Sequence, residues 1–310
     1  RSAASHLAWL RWSWLDFIAC LGYAHPMTGS KILNVTRFAP SPTGLMHLGH
    51  AHAALFAQRA AGPEGRFLLR IEDIDVTRCR PEFLDAIYQD LAWLGLTWET
   101  PVRRQSEHLA DYWEALEQLA ARRLLYPCFC TRKEIEEEIA RAGGAPHGPE
   151  GQLYPGLCRH LDGRDRRDRI ARGEGHAWRL DVERAAAETG PLDWCDLGRG
   201  RQIADPLALG DVVLARKDIR TSYHLSVTLD DALQGVTLVT RGEDLIPATA
   251  IHRLLQALLD LPVPEWHHHG LLLDDGGRRL AKRDAAMTLR ALREAGRSPA
   301  EVRALAGFPD

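Results

Sequence analysis

The sequence lacks an uninterrupted apolar run long enough to cross a membrane. Its most apolar opening stretch, residues 7–23, is broken by Arg11 and Asp16, whereas a spanning helix needs about 20 predominantly apolar residues in a row. The same break denies it the continuous apolar core of a secretory signal, and no small-residue cleavage site follows. Charge of one sign is also missing. With 39 Lys and Arg against 42 Asp and Glu the net charge is −3, which excludes a globally basic nucleic-acid binder and leaves RNA contact to a local patch. Cysteine is scarce, six in 310 residues, too few for a disulfide scaffold. Internal repeats and low-complexity tracts are absent, which excludes solenoid, collagen-like and coiled-coil chains. What is present, 45% apolar and 26% charged residues, is ordinary globular usage, in a chain long enough for one large or two ordinary domains.

Residues 32–38 are β-branched and apolar and predict a strand, which Pro40, Pro42 and Gly44 break into a loop. An Ala-rich helix is expected over 51–61, ending at Gly62-Pro63, then a buried strand over 67–71. Amphipathic helices are expected over 81–94 and 106–125, the second with Leu109, Trp113, Leu116, Leu119 and Leu124 at helical spacing. This alternation argues for a parallel α/β sheet. The rhythm breaks between Tyr126 and Arg216, read as an insertion with its own small folded unit. It resumes with two expected strands, 223–227 and 236–239, and a helix over 247–259. Ser298-Pro299-Ala300-Glu301 announces a closing helix through a capping box with Pro at its first position.

His47-Leu48-Gly49-His50 falls at a strand-to-helix junction. A helix start offers unpaired N–H groups and a positive dipole to phosphate. Two imidazoles there can donate to a phosphorus centre in its transition state, and Gly49 lets a flat base approach the backbone. Alone, the pair reads equally well as polar histidines capping a helix. Cys128-Phe129-Cys130 with Cys158 has the spacing of a metal site in a reducing compartment, while Cys20, Cys79 and Cys195 are scattered. Arg159, Arg164, Arg166, Arg167, Arg169 and Arg172 alternate with Asp162, Asp165 and Asp168, which favours a solvated helix or loop laced with ion pairs. Asp73 and Asp75 suit a helix N-cap or solvated turn, and His267-His268-His269 reads as exposed strand-end histidines.

Further signals accompany the histidines. Arg37-Phe38-Ala39-Pro40-Ser41-Pro42-Thr43-Gly44 precedes them, Arg70-Ile71-Glu72-Asp73 ends the next strand, and Arg241-Gly242-Glu243-Asp244-Leu245 follows a later one. Arg279-Leu280-Ala281-Lys282-Arg283 stands near the C-terminus. Over residues 37–283 these resemble, in order, the R-F-A-P-S-P-T-G, H-x-G-H, R-I-E-D and K-x-S-K elements of the class I glutamyl-tRNA synthetases. The resemblance implies an α/β fold with a Rossmann-like parallel sheet. Its halves would be residues 31–125 and 216–310, the latter with the K-x-S-K-like loop and C-terminal helices. Residues 126–215 would form an inserted zinc-containing, acceptor-binding subdomain, and 1–30 an unstructured upstream extension, since Met27 looks like a start.

The resemblance also implies roles: catalysis for His47, His50 and Lys282, and ATP binding for His47, Gly49, His50, Arg279 and Lys282. Glutamate would be held by Arg37, Phe38, Ala39, Pro40, Ser41, Glu72, Tyr223 and Arg241. The chemistry agrees. Attack of a carboxylate on the ATP α-phosphate needs positioning and positive charge on the departing pyrophosphate, not a covalent enzyme group. Arg37 and Arg241 offer forks for carboxylate, and Glu72 a partner for the α-ammonium. Ala281 and Arg279 replace the serine and first lysine of K-x-S-K, with the charge kept at both ends.

Only 27 residues follow Arg283 (310 − 283), where full-length members continue into a helical anticodon-binding region. In this the chain resembles the truncated glutamyl-queuosine tRNA(Asp) synthetase branch, which transfers glutamate to the queuosine base at the wobble position of tRNA(Asp). That branch holds zinc by C-x-C followed by Y-x3-C, matched here by Cys128, Cys130, Tyr154 and Cys158, so one structural Zn(2+) per chain is implied. Zinc chemistry alone would favour a histidine as fourth ligand, which makes His147 and His160 competitors of Tyr154. The implied partners are queuosine-bearing tRNA(Asp), L-glutamate and ATP with Mg(2+), with no membrane, for a monomer in the cytoplasm. Three other readings stay open. They are a minimal synthetase charging a tRNA 3′ end, a small-molecule adenylyltransferase, and a catalytically silent RNA-binding paralogue.

Overall fold

The computed structural model describes residues 33–141, 147–148, 151–272 and 288–309. The expected upstream extension and the segment carrying Arg279, Ala281 and Lys282 lie outside the described residues. The first part of the fold contains β1 (Val35–Phe38), α1 (Leu48–Ala61), β2 (Arg66–Ile71), α2 (Pro81–Trp93), β3 (Arg103–Arg104) and α3 (Leu109–Ala121). The middle contains β4 (Leu125–Cys128), α4 (Arg132–Arg141), β5 (His147–Gly148), β6 (Gly151–Gln152), α5 (Gly163–Ala171) and β7 (Ala177–Leu180). It continues through α6 (Val182–Thr189), β8 (Asp193–Asp196), β9 (Gly200–Ile203) and β10 (Val213–Ala215). The last part is α7 (Tyr223–Leu233), β11 (Leu238–Gly242), α8 (Ala248–Leu258), β12 (Glu265–His269), α9 (Leu289–Glu294) and α10 (Pro299–Leu305).

β1, β2 and β3 run parallel, with Arg37 opposite Leu68 and Ile71 opposite Arg104. β11 and β12 form a second parallel pair. The two sheets abut where the Thr237 N–H donates to the Val35 carbonyl (3.0 Å) and its hydroxyl accepts from the Val35 N–H (2.9 Å). The crossover from α1 to β2 is tight: a Cβ on Gly65 would fall 2.0 Å from the Ala61 carbonyl oxygen and 2.6 Å from that of Asn34, so no side chain fits there. α1 and α2 cover one face with a core of Leu55, Phe67, Leu69, Ile87 and Leu91, against which Leu289 and Val302 pack. α3, α7 and α8 share another core around Leu116, Leu119, Leu225, Leu229 and Leu254.

The inserted region is built on the antiparallel sheet β10–β7–β4. Residues 193–203 fall inside the span read as an insertion, yet β8 pairs with β12, and β9 pairs with β8. Trp194 seals this junction, its ring 5.5 Å from that of Trp266 and nearly perpendicular to it.

Four expectations need correction. Residues 223–227 are the start of helix α7, not a strand. Leu225, Val227 and Leu229 mimic a period of two because this helix is buried around most of its circumference. Its hydroxyls are satisfied internally, Ser226 Oγ donating to the Ser222 carbonyl (2.9 Å) and Thr228 Oγ1 to that of His224 (2.7 Å). On α3 the buried face is Tyr112, Ala115, Leu116 and Leu119, while Leu109 and Trp113 are exposed. His268 and His269 are buried rather than exposed, because β12 lies between β11 and β8. Asp73 and Asp75 are buried acceptors rather than caps or solvated groups. Asp73 accepts from the Ser106 N–H and hydroxyl (both 2.8 Å). As read from the sequence, the run includes a solvated helix: Arg164, Arg166, Arg167 and Arg169 lie on α5, which has no buried residue and is capped by Asp162. The closing helix has its capping box between Ser298 and Glu301. Among the described residues no helix is long and apolar enough to cross a membrane.

Candidate functional site

A cavity of about 560 Å³ opens at the C-terminal ends of β1, β11 and β12, against the start of α1. This is where parallel α/β sheets place their ligands. It gathers Arg37, Phe38, Ala39, His47, Gly49, His50, Glu72, Tyr223 and Arg241 from the expected set. Pro40 is tied to the same wall, its carbonyl accepting the Glu72 N–H at 3.0 Å. Ser41 instead lines a smaller neighbouring cavity of about 290 Å³, which shares Glu72 and Tyr223 with the first.

At the start of α1 the two histidines cap the helix reciprocally. His47 Nδ1 accepts from the Gly49 N–H, and His50 Nδ1 accepts from the His47 N–H, both at 3.1 Å. An accepting Nδ1 places the proton of each neutral ring on Nε2, so both present an Nε2–H donor. The structure shows the helix-capping geometry, with both rings on the cavity lining. The C-terminal chain returns here as well: Leu289 N–H donates to the Met46 carbonyl (2.9 Å), and Thr288 bridges to His47. Because Leu271 and Leu272 line the same cavity, both flanks of the segment carrying Lys282 are at its wall.

Arg241 is buried, and its described hydrogen-bond partners are all neutral. Nη1 donates to the Tyr223 hydroxyl (3.3 Å) and meets His252 Nδ1 (3.1 Å), Nη2 donates to Thr249 Oγ1 (2.6 Å), and Nε donates to His268 Nε2 (3.1 Å). The imidazoles stay neutral. Burial, with the Arg241 charge beside it, holds His224 at about 4 and pushes His252 well below the usual imidazole value. His268 in turn contacts the buried Asp196 carboxylate through Nδ1 at 2.6 Å. That contact fixes the His268 tautomer so that Nε2 accepts from Arg241. The result is a buried cation, fixed in direction, on a cavity wall and with no carboxylate bonded to it among the described residues.

Arg37 differs. Nε and Nη2 fork onto Asp231 (2.9 and 3.3 Å), and Nη1 donates to the Thr240 carbonyl (3.0 Å). Asp231 also accepts from Arg70 (2.7 Å). Burial alone would raise the Asp231 carboxyl, but Arg37 and Arg70 together hold it below the usual value. Glu72, across the cavity, is raised by burial, partly offset by Arg70 and Arg37. Asp75 is held at about 2 by the Thr77 hydroxyl (2.6 Å) and Arg78 (2.8 Å), with Arg216 at 3.3 Å. Sequence reasoning missed Asp231, His252, Thr249 and His268. The signal was Asp230-Asp231 at the end of an apolar helix, where two adjacent acids are costly unless paired with buried cations.

In the insertion, the Sγ atoms of Cys128, Cys130 and Cys158 lie within 4.8 Å of one another. The Tyr154 hydroxyl is 3.4 Å from Cys128 Sγ and 3.5 Å from Cys130 Sγ. Tetrahedral zinc with Zn–S of about 2.3 Å spaces its ligands by about 3.8 Å, so the donor set fits such an ion. The charge pattern agrees. Hydrogen bonding from Cys158, then Tyr154 and Arg179, lowers Cys128 to about 4, while the same Cys128 contact raises Cys158. The Arg179 guanidinium lies 3.8 Å from the Tyr154 ring centroid and holds that ring in place. His160 is exposed and outside the group, whereas the side chain of His147 is not among those described.

Residues 34–306 match the family described as tRNA synthetases class I (E and Q), catalytic domain. The chain is 54% identical to the glutamyl-Q tRNA(Asp) synthetase of Rhodobacter capsulatus over 282 residues, 88% of this chain and 100% of that protein. It is 46% identical to the protein of the same name from Nocardia farcinica, over 87% of this chain and 82% of the other. Among solved structures, a glutamate tRNA ligase from Elizabethkingia meningosepticum in complex with its amino acid superposes with a TM-score of 0.67 at 29% identity, over 82% of this chain. The chain spans about half the length of that ligase, 52%.

Proposed function

We infer the activity from one premise: the chain belongs to the class I glutamyl- and glutaminyl-tRNA synthetase family, whose catalytic domain it carries. Its reaction is ATP-dependent activation of L-glutamate and transfer of the glutamyl group to the queuosine base of tRNA(Asp). The observation that carries the amino-acid half is Arg241, a buried guanidinium with neutral partners on the cavity wall. An uncompensated buried cation is costly, and the side-chain carboxylate of glutamate relieves it with a charge-assisted pair that the Tyr223 hydroxyl extends. Glu72 lies on the same cavity, placed to take the α-ammonium.

The α-carboxylate then attacks the α-phosphorus of ATP. A carboxylate O–P bond forms, the bond to pyrophosphate breaks, and the electron pair leaves with pyrophosphate, whose charge Mg(2+) shares. The Nε2–H groups of His47 and His50 and the N-terminus of α1 oppose the charge gathering on phosphate, with Gly49 against the nucleotide. Lys282 and Arg279 supply positive charge at the departing end. Phe38 and Ala39 shape the amino-acid side of the wall, with Pro40 behind them, and Ser41 lies at the neighbouring cavity.

Cys128, Cys130, Tyr154 and Cys158 would hold one Zn(2+), which when bound ties β4 to the turn at 154–158. The chain acts as a monomer in this reading, and the reducing cytoplasm keeps such thiols available.

The test is glutamate-dependent pyrophosphate exchange, followed by transfer of labelled glutamate to tRNA(Asp) with and without queuosine, beside tRNA(Glu). Exchange with label only on queuosine-bearing tRNA(Asp) is expected. Label on the 3′ end of tRNA(Glu) would overturn the acceptor, and absence of exchange would overturn the activation step.

A further inference from the structure

The smaller cavity of about 290 Å³, which shares Glu72 and Tyr223 with the first, is lined by two residues that each carry a buried polar atom with no partner among the described residues. Gln105 is 1% exposed; its Nε2 donates to Asp230 Oδ2 at 2.8 Å, and its Oε1 has no partner. A carboxylate only accepts, so this amide cannot be turned round, and the orphan is the acceptor. Ser222 is 8% exposed and stands at the N-cap of α7, yet its side chain makes no capping bond and its Oγ has no partner. Serine at this position normally bonds the next turn. Leaving two such atoms unsatisfied costs on the order of 1–3 kcal/mol each, a cost that a ligand removes.

The wall also defines the ligand. Gln105 Oε1 and the Glu72 carboxylate accept, Ser222 accepts or donates, and the Asp75 charge is already matched by Arg78 and Arg216. A site rich in acceptors suits a group rich in O–H and N–H donors, such as a ring bearing a vicinal diol and an amine. The diol-bearing ring of queuosine has this chemistry. A ribose at a tRNA 3′ end has the diol without the amine.

We propose that this second cavity is the acceptor pocket, in which Gln105 and Ser222 hold the hydroxylated ring of the modified base while one hydroxyl reaches the activated glutamate beside Glu72 and Tyr223, which both cavities share. The proposal rests on the function inferred above. The hydroxyl oxygen attacks the glutamyl carbonyl carbon and an ester C–O bond forms. The C–O bond to the adenylate phosphate breaks with its electron pair going to AMP, and the hydroxyl proton passes to a phosphate oxygen of AMP. No further reactant is needed.

Ser222→Ala removes a hydroxyl that bonds nothing among the described residues, so the fold is retained. It should slow single-turnover transfer to limiting queuosine-bearing tRNA(Asp) by roughly threefold to tenfold, the scale of one hydrogen bond, with pyrophosphate exchange within about twofold of wild type. Gln105→Leu should act in the same direction, and Ser222→Thr, which keeps the hydroxyl, should restore transfer. Free queuosine nucleoside should inhibit wild-type transfer competitively with the tRNA without inhibiting exchange. Wild-type transfer rates in both Ser222→Ala and Gln105→Leu would overturn the pocket, as would equal losses in exchange and transfer. If the wild-type chain labels a tRNA 3′ end instead, the acceptor reading and the pocket both fall. That outcome is distinct from failure of the pocket alone, in which queuosine-bearing tRNA(Asp) is still labelled.

Discussion

Lowering the pH from 7.5 to 5 should destabilise the fold through the imidazoles packed beside Arg241. Burial and the Arg241 charge hold His224 at about 4, whereas the same ring titrates near 6.5 in an unfolded chain. Between these values the unfolded chain binds a proton that the folded chain refuses. Stability therefore falls as pH drops through that window and recovers as pH rises. For one such group the loss is close to zero at pH 7.5, about 2 kcal/mol at pH 5 and about 3 kcal/mol near pH 4 and below. His252 meets His224 at 3.3 Å and is likewise pushed well below the usual imidazole value by burial and the Arg241 charge, so it adds a loss of the same sign. The measurement is urea unfolding at pH 7.5, 6 and 5 for wild type and His224→Asn, which keeps a polar group but does not titrate. The variant should be less stable at pH 7.5, and the gap should close by about 2 kcal/mol at pH 5. Parallel stability profiles for the two proteins would refute the reasoning, because they would mean that His224 takes up its proton equally well in both states.

Asp231→Asn leaves Arg37 and Arg70 buried without the carboxylate they share. It should cost about 3–5 kcal/mol by urea unfolding at pH 7, and a change below about 1 kcal/mol would show that other groups take over. Prolonged dialysis against a strong chelator should lower the Tm of the wild type but not that of Cys130→Ser, whose bound zinc by elemental analysis should already be depleted. Equal shifts in both would dissociate the thiol group from metal. Lys282→Ala should reduce glutamate-dependent pyrophosphate exchange by about 10²–10³-fold, the scale of losing one transition-state donor. Unchanged exchange would remove this lysine from the mechanism.

Much of the site was legible because its chemistry is carried by short contiguous strings. Arg37 to Ser41, His47 to His50 and the pair Cys128 and Cys130 each lie at the end of one strand or the start of one helix, so spacing along the chain approximates spacing in space. The parallel sheet was legible for a similar reason, since strand–loop–helix alternation repeats at short range. α7 was misread where burial on nearly all sides erased the helical period, and β12 where histidines, usually surface residues, were enclosed between two strands.

The sequence by itself determined the donor groups: two imidazoles at a helix start, two forks for carboxylate, and three thiols with a phenol. Only the tertiary structure decided which of those donors are already occupied. Arg37 is closed by Asp231, 194 residues away along the chain, while Arg241 meets only neutral partners in its described hydrogen bonds. Gln105 and Ser222 carry no motif, and their significance lies in an acceptor and a hydroxyl with no partner among the described residues, on side chains that line a cavity. Pairing between residues so far apart depends on the packing of sheet against helix, and no local pattern in the chain encodes it.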